Sequence, residues 1–185
     1  MLTRQEQLVK RLTQSGEKTI AFFESLSDEV LRQQVYTQAT STTPKWTLFD
    51  ILAHFVSTER IFQQYGNDIL AGGPGAPDDF DIDAFNSREV TALTAQYDRA
   101  ALVAAFRQAR HDTVTLARRT TDADLSRTGY HPWFGEMQLE KMIKLVYRHN
   151  QIHERDIKKA LQTGGPVPHV DVTAPTAQQN HNMAL

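Results

Sequence analysis

The sequence predicts an all-α protein: a four-helix bundle with a long crossover between its second and third long helices, running up-down-down-up. Three observations predict it. Apolar residues recur at helical spacing in four long stretches. No stretch alternates apolar and polar residues over a useful strand length. The Gly/Pro-rich interruption falls between the second and third stretches, where a crossover needs length. A chain of 185 residues is a soft prior for one domain and can bury a sizeable core.

The first helix carries a loose stripe of Leu8, Leu12, Ile20, Phe23 and Leu26 among polar residues. Ser27-Asp28-Glu29 reads as an N-cap with acids in the first turn, opening a short extra helix through Val35. Residues 37–45 read as a loop. The second long helix runs roughly from Thr47 to Leu70, with Ile51, Phe55, Phe62 and Ile69 on its stripe. Gly72, Gly73, Pro74, Gly75 and Pro77 cannot continue it. A modest helix is expected from about Asn86 to Gln96. The third long helix follows from Asp98 to Arg119 on Leu102, Val103, Phe106, Val114 and Leu116. Asp122 to Gly135 reads as a loop with a short turn. The fourth long helix runs from about Glu136 to Leu161 and is stopped by Gly164, Gly165 and Pro166. Residues 1–162 are thus expected to form a single bundle domain, and 163–185 an extended or partly disordered tail.

Composition narrows the function. Lys+Arg at 20 against Asp+Glu at 22 gives a net charge of −2, which argues against a nucleic-acid partner. The absence of cysteine excludes disulfides, cysteine zinc sites, iron–sulfur clusters and a cysteine nucleophile, and fits a reducing compartment. The N-terminus lacks the apolar run of a signal peptide, and no run of about 18 apolar residues suggests a membrane span. A cytoplasmic protein without a membrane partner is the expectation. No dinucleotide fingerprint, P-loop or nucleophile elbow is present. Asp78, Asp79, Asp81 and Asp83 lack EF-hand spacing and read as a solvated acidic loop.

The chemistry lies in the histidines. His149 and His153 are four apart on the fourth helix, about 40° and about 6 Å from each other. The stripe through Leu139, Met142 and Val146 continues onto 149, 153 and 157, so both imidazoles replace core residues and point into the bundle. Buried polar groups there need a partner. His54, beside the stripe of the second helix, is the natural third member. It lies about 25 Å from the end of its helix, and the pair lies about 20–25 Å from the start of the fourth. These levels match if the two helices are antiparallel, as the long crossover requires. Three imidazoles leave coordination positions open, the layout of a catalytic metal site. Imidazole suits zinc, nickel, copper or iron.

Asp50 reads as a first-turn acid and Glu59 as a solvated surface charge, rather than as acceptors that orient an imidazole. Asp156 reads equally as an acceptor for His153 or as an ion-pair partner of a basic neighbour. Trp46 reads as a packing plug at a helix entry. His111 reads as exposed. His131 lies in an aromatic loop, where it either lines a pocket mouth or packs. His169 and His181, in the tail, receive no role.

Trp46 before the second helix, His54 within it, and His149 with His153 on the fourth together resemble the DinB/YfiT-like superfamily of four-helix bundles, over about residues 5–162. Phe80 to Asn86 resembles an Asp-x-Phe-Asn stretch of its mycothiol-dependent maleylpyruvate isomerase branch, and Asp156-Ile157 is similar too. The resemblance implies one divalent metal ion, zinc or nickel, held by His54, His149 and His153 with water completing the sphere. It also implies a homodimer and a small-molecule substrate. The expected function is a metal-dependent enzyme, in its most specific form a thiol-dependent S-transferase or isomerase using a low-molecular-weight thiol. The alternatives are a metal-dependent hydrolase and a non-enzymatic protein that binds a stress-related small molecule or metal.

Overall fold

The structure is a computed structural model that describes residues 2–37 and 45–168. Most of the loop expected over 37–45, and His169 and His181 with the rest of the tail, lie outside the described residues. Four long helices dominate: α1 (Arg4–Ser25), α3 (Leu48–Leu70), α5 (Arg99–Arg118) and α7 (Leu139–Thr163). Short helices α2 (Asp28–Leu31) and α6 (Asp122–Leu125) sit in connections, and α4 (Ile82–Gln96) lies within the crossover.

Local chemistry sets the ends. Thr3 with Glu6 and Thr47 with Asp50 form capping boxes at α1 and α3, so Asp50 serves its helix end. The side chain of Ser27 accepts from Val30 N as expected, but α2 stops at Leu31 rather than Val35. Asp81 caps α4, which therefore begins four residues before the expected Asn86. Gly164 ends α7 at φ 70°, a left-handed position that glycine adopts without a Cβ penalty.

Side-chain pairs fix the topology. Phe55 meets Phe106, Glu59 meets Arg110 and Gln63 meets Thr113, so α3 and α5 run parallel. Arg4 meets Glu140 and Thr19 meets Glu154, so α1 and α7 also run parallel. Gln5 reaches Arg118 while Glu24 reaches Arg107, so α1 and α5 are antiparallel. The order is up-down-down-up, as the sequence predicts. A parallel α3–α5 pair requires a connection that travels the bundle's length, and residues 71–98 supply it.

One expectation fails. The region after α6 is not only loop: Thr128–His131 (β1) and Gly135–Gln138 (β2) form an antiparallel hairpin, and α7 starts at Leu139 rather than Glu136. The strands are too short to alternate visibly. The crossover steadies them, since Tyr130 N donates to Pro74 O and Ala76 N to Tyr130 O. At Gly75 (φ 92°) a Cβ would fall 2.9 Å from Tyr130 O, so this close approach needs glycine. Among the described residues no helix is long and apolar enough to cross a membrane.

The core is divided. One apolar cluster gathers Phe23, Phe55, Leu102, Phe106 and Ile157; another gathers Leu8, Leu12, Ile69, Leu139 and Met142. Between them runs a polar layer of His54, Glu59, Arg110, Thr113, Asn150 and His153, all buried. The site lies in this layer.

Candidate metal centre

His149 and His153 lie one turn apart on α7, and His54 enters from the early turns of antiparallel α3. The Nε2 atoms of His54 and His149 are 3.0 Å apart, and those of His149 and His153 are 3.1 Å apart. One ring nitrogen from each of the three lies within 4.8 Å of the others, and among the described residues this trio is the group that could hold a metal ion. The donor set fits one. Tetrahedral bonds of about 2.0–2.1 Å would set nitrogens about 3.3–3.4 Å apart, within a few tenths of an ångström of these contacts. His149 Nε2 faces two other ring nitrogens, yet a ring nitrogen offers only one proton or one lone pair. Hydrogen bonds alone serve that geometry poorly, whereas three lone pairs around one cation serve it well.

Neighbouring residues hold the rings. Tyr36 Oη lies 2.6 Å from His153 Nδ1 and also hydrogen-bonds Asp156. A carboxylate only accepts, so Tyr36 donates to Asp156 and its oxygen receives the Nδ1–H of His153. That tautomer turns the Nε2 lone pair of His153 toward His149. Burial, with the Asp156 charge beside it, pushes the Tyr36 hydroxyl far above the ordinary tyrosine value. Asp156 thus acts on His153 through Tyr36, and it also lies 3.4 Å from Arg155 Nε. Tyr36 carries no periodic signal in the sequence. It is placed by backbone pairing: Val35 N donates to Trp46 O, Val167 N to Val35 O, and Thr37 N to Val167 O. Trp46 packs its ring 4.7 Å from His54, which makes the packing plug a wall of the site.

Glu59 is the clearest correction. It is 0% exposed rather than a solvated charge. Arg110, 3% exposed, contacts it through Nε at 2.6 Å and Nη2 at 2.5 Å. Arg110 also donates to Leu12 O at 2.9 Å and Ser15 Oγ at 2.6 Å, and Thr113 donates to the other Glu59 oxygen. Asn150, next to His149, accepts from Arg110 Nη2 at 3.0 Å when its amide is turned to satisfy both ends. The network ties α1, α3, α5 and α7 together at the level of the histidines. Its signal was present in the sequence. Glu59 and Arg110 each follow a stripe phenylalanine (Phe55, Phe106) by four residues, so opposite charges occupy core positions on two helices. His111 is exposed, as expected, beside Asp112.

A cavity of about 90 Å³ opens beside the trio, with His54 and His149 in its lining. Phe62, Phe80, Phe85, Trp133, Phe134 and Leu145 form its apolar walls. The crossover and the hairpin build half of it, which explains why it was not legible from the helices alone. His131 lines it too. Its Nδ1 accepts from Trp133 N at 3.1 Å and from Phe134 N at 3.4 Å, leaving the proton on Nε2. Burial, then the nearby His149, lower its pKa from the ordinary 6.5 to about 4, so the ring stays neutral. Tyr65, also lining, has a buried hydroxyl with no hydrogen-bond partner among the described residues, and burial pushes its pKa up.

Residues 11–157 match the profile of the DinB superfamily. No curated protein matches by sequence. Solved structures share the fold, two of them as follows. The mycothiol-dependent maleylpyruvate isomerase superposes with a TM-score of 0.66 at 12% identity, covering 85% of this chain and 63% of that one. The chain therefore spans under two thirds of that isomerase's length. YfiT from Bacillus subtilis, described as a probable metal-dependent hydrolase with an unusual four-helix bundle topology, superposes with a TM-score of 0.67 at 17% identity. That match covers 89% of this chain and 91% of YfiT. At these identities the likeness shows the fold.

Proposed function

The chain belongs to the DinB superfamily, and we propose that it is a metal-dependent enzyme in which His54, His149 and His153 hold one divalent transition metal ion, zinc or nickel. The observation that carries this reading is the convergence of three ring nitrogens, two pairs of them at 3.0 and 3.1 Å, in the buried polar layer. When bound, such an ion supplies a Lewis acid that favours the ionised form of a coordinated water or thiol. The chain's own residues do the rest. Tyr36 with Asp156 fixes the His153 tautomer, Trp46 and Phe55 pack against the rings, and the cavity gives the reacting side aromatic walls.

Within the enzyme class we favour thiol transfer or isomerisation over hydrolysis. No carboxylate lines the cavity among the described residues, and His131 has Nδ1 engaged by the loop amides. A water attacking there finds no general base in the lining. A thiol ionises far more readily and needs none. The chain has no cysteine, so the thiol comes from a low-molecular-weight cosubstrate. A homodimer, implied by the family resemblance, belongs to the same reading and is checked by light scattering.

Elemental analysis of purified protein beside His149→Ala is the test. About one transition metal ion per chain, lost in the variant, is the expected result. Metal-free protein that cannot be reloaded overturns the reading. Turnover of an electrophile only with added thiol separates transfer from hydrolysis, and stoichiometric ligand capture without turnover would make it a binding protein.

A further inference from the structure

The cavity beside the trio has a chemistry of its own. Its walls are aromatic and aliphatic, and its lining contains no lysine, arginine, aspartate or glutamate among the described residues. Besides the histidines of the metal centre, three buried uncharged polar side chains line it with groups to offer: Thr58, Asn86 and His131, at 6%, 7% and 4% exposure. His131 spends Nδ1 on two loop amides, so its remaining group is an Nε2–H. Tyr65 lines the cavity too, but its hydroxyl is closed off within the protein.

The backbone goes out of its way to assemble these donors. Thr58 comes from α3, Asn86 from α4 in the crossover, and His131 from the end of β1. The pairing of Pro74 and Ala76 with Tyr130 holds the crossover against the hairpin that carries His131. Packing alone would be served as well by valine or leucine at positions 58 and 86.

We propose that this cavity is the substrate subsite of the centre, and that it selects a small, flat, uncharged molecule. One end is an aromatic or unsaturated hydrocarbon, and the other is a neutral carbonyl oxygen received by the Thr58 hydroxyl, with the His131 Nε2–H and the Asn86 amide as further donors. This deepens the reading of the site as a metal-dependent enzyme and rests on it for the chemistry, though not for the binding. The walls supply area for a ring, and each donor suits an acceptor. A carboxylate, phosphate or sugar fits badly. An anion there would lie among apolar rings without a cationic side chain, and a sugar would bring more hydroxyls than three groups can satisfy. The selectivity therefore comes from polarity as much as from shape.

The test is calorimetric titration with three probes of one shape: cinnamamide, the cinnamate anion, and trans-β-methylstyrene, which has no acceptor. Each is titrated into the protein as purified and after metal removal by a chelator, so that a carboxylate cannot simply ligate the metal. In stripped protein cinnamamide should bind at least tenfold more tightly than cinnamate. Thr58→Val replaces the hydroxyl with a methyl group of nearly the same size, so its fold should be retained. That variant should weaken cinnamamide about five- to tenfold, the loss expected for one hydrogen bond, and leave methylstyrene unchanged. Cinnamate binding as tightly as the amide in stripped protein, or a Thr58→Val loss equal for both neutral probes, overturns the proposal. Binding that follows the expected pattern in a protein shown to hold no metal would leave the subsite standing while removing the metal reading.

Discussion

Replacing Arg110 with methionine should be among the most damaging single changes in this bundle. Arg110 is 3% exposed and its partner Glu59 is 0% exposed. The substitution keeps the length and apolar character of the stem, so packing changes little. It leaves the Glu59 carboxylate without its guanidinium, and it strips a donor from Leu12 O, Ser15 Oγ and the Asn150 amide. Breaking a buried pair by removing one member costs about 3–5 kcal/mol, because an uncompensated charge stays in the interior. For a chain of this size that lowers Tm by roughly 6–20 °C, at about 2–4 °C per kcal/mol. The double variant Arg110→Met with Glu59→Leu removes the stranded charge and should recover most of the loss. It should remain about 1–2 kcal/mol below the parent, since Thr113, Ser15 and Leu12 O each lose one hydrogen bond. Urea unfolding of metal-stripped protein measures all three without ligand linkage. A single-variant cost under about 1 kcal/mol, or a double variant no more stable than the single, would refute the view that this pair is a desolvated, mutually dependent unit.

Two further outcomes are expected. Tyr36→Phe removes the oxygen that holds His153 Nδ1, and should reduce metal affinity about 10–100-fold in a chelator competition while the bundle stays folded. His131 should make stability fall in mild acid: its folded pKa of about 4 lies below the unfolded 6.5, so below 6.5 the unfolded chain binds the extra proton. Its contribution is intact above pH 6.5 and is lost progressively as pH falls toward 4, about 2 kcal/mol between pH 7 and 5. His131→Asn, which keeps an acceptor for the loop amides but does not titrate, should lose correspondingly less; parallel denaturation profiles for the two proteins would count against it.

The sequence by itself determined the four long helices, their direction and the three histidines. Each rests on information carried locally or by simple counting. Stripe periodicity gives a helix, a capping Thr or Asp gives its start, and rise per residue gives the level of His54 against His149 and His153. The long crossover then forces the parallel α3–α5 pair. Tertiary structure alone decided the surroundings of those histidines. Tyr36 reaches His153 because its segment pairs with Trp46 and Val167, residues 10 and 131 positions away along the chain. The β1–β2 hairpin exists because the crossover's Pro74 and Ala76 pair with Tyr130. The cavity is built from α3, the crossover, the hairpin loop and α7, and no single helix's period records a space between four elements. Glu59 and Arg110 stand between these cases. Each was visible as a charge on an apolar stripe, but only packing shows that the two stripes meet at the same level. Periodicity reports which face a residue occupies; which other face it meets is a property of the assembled fold.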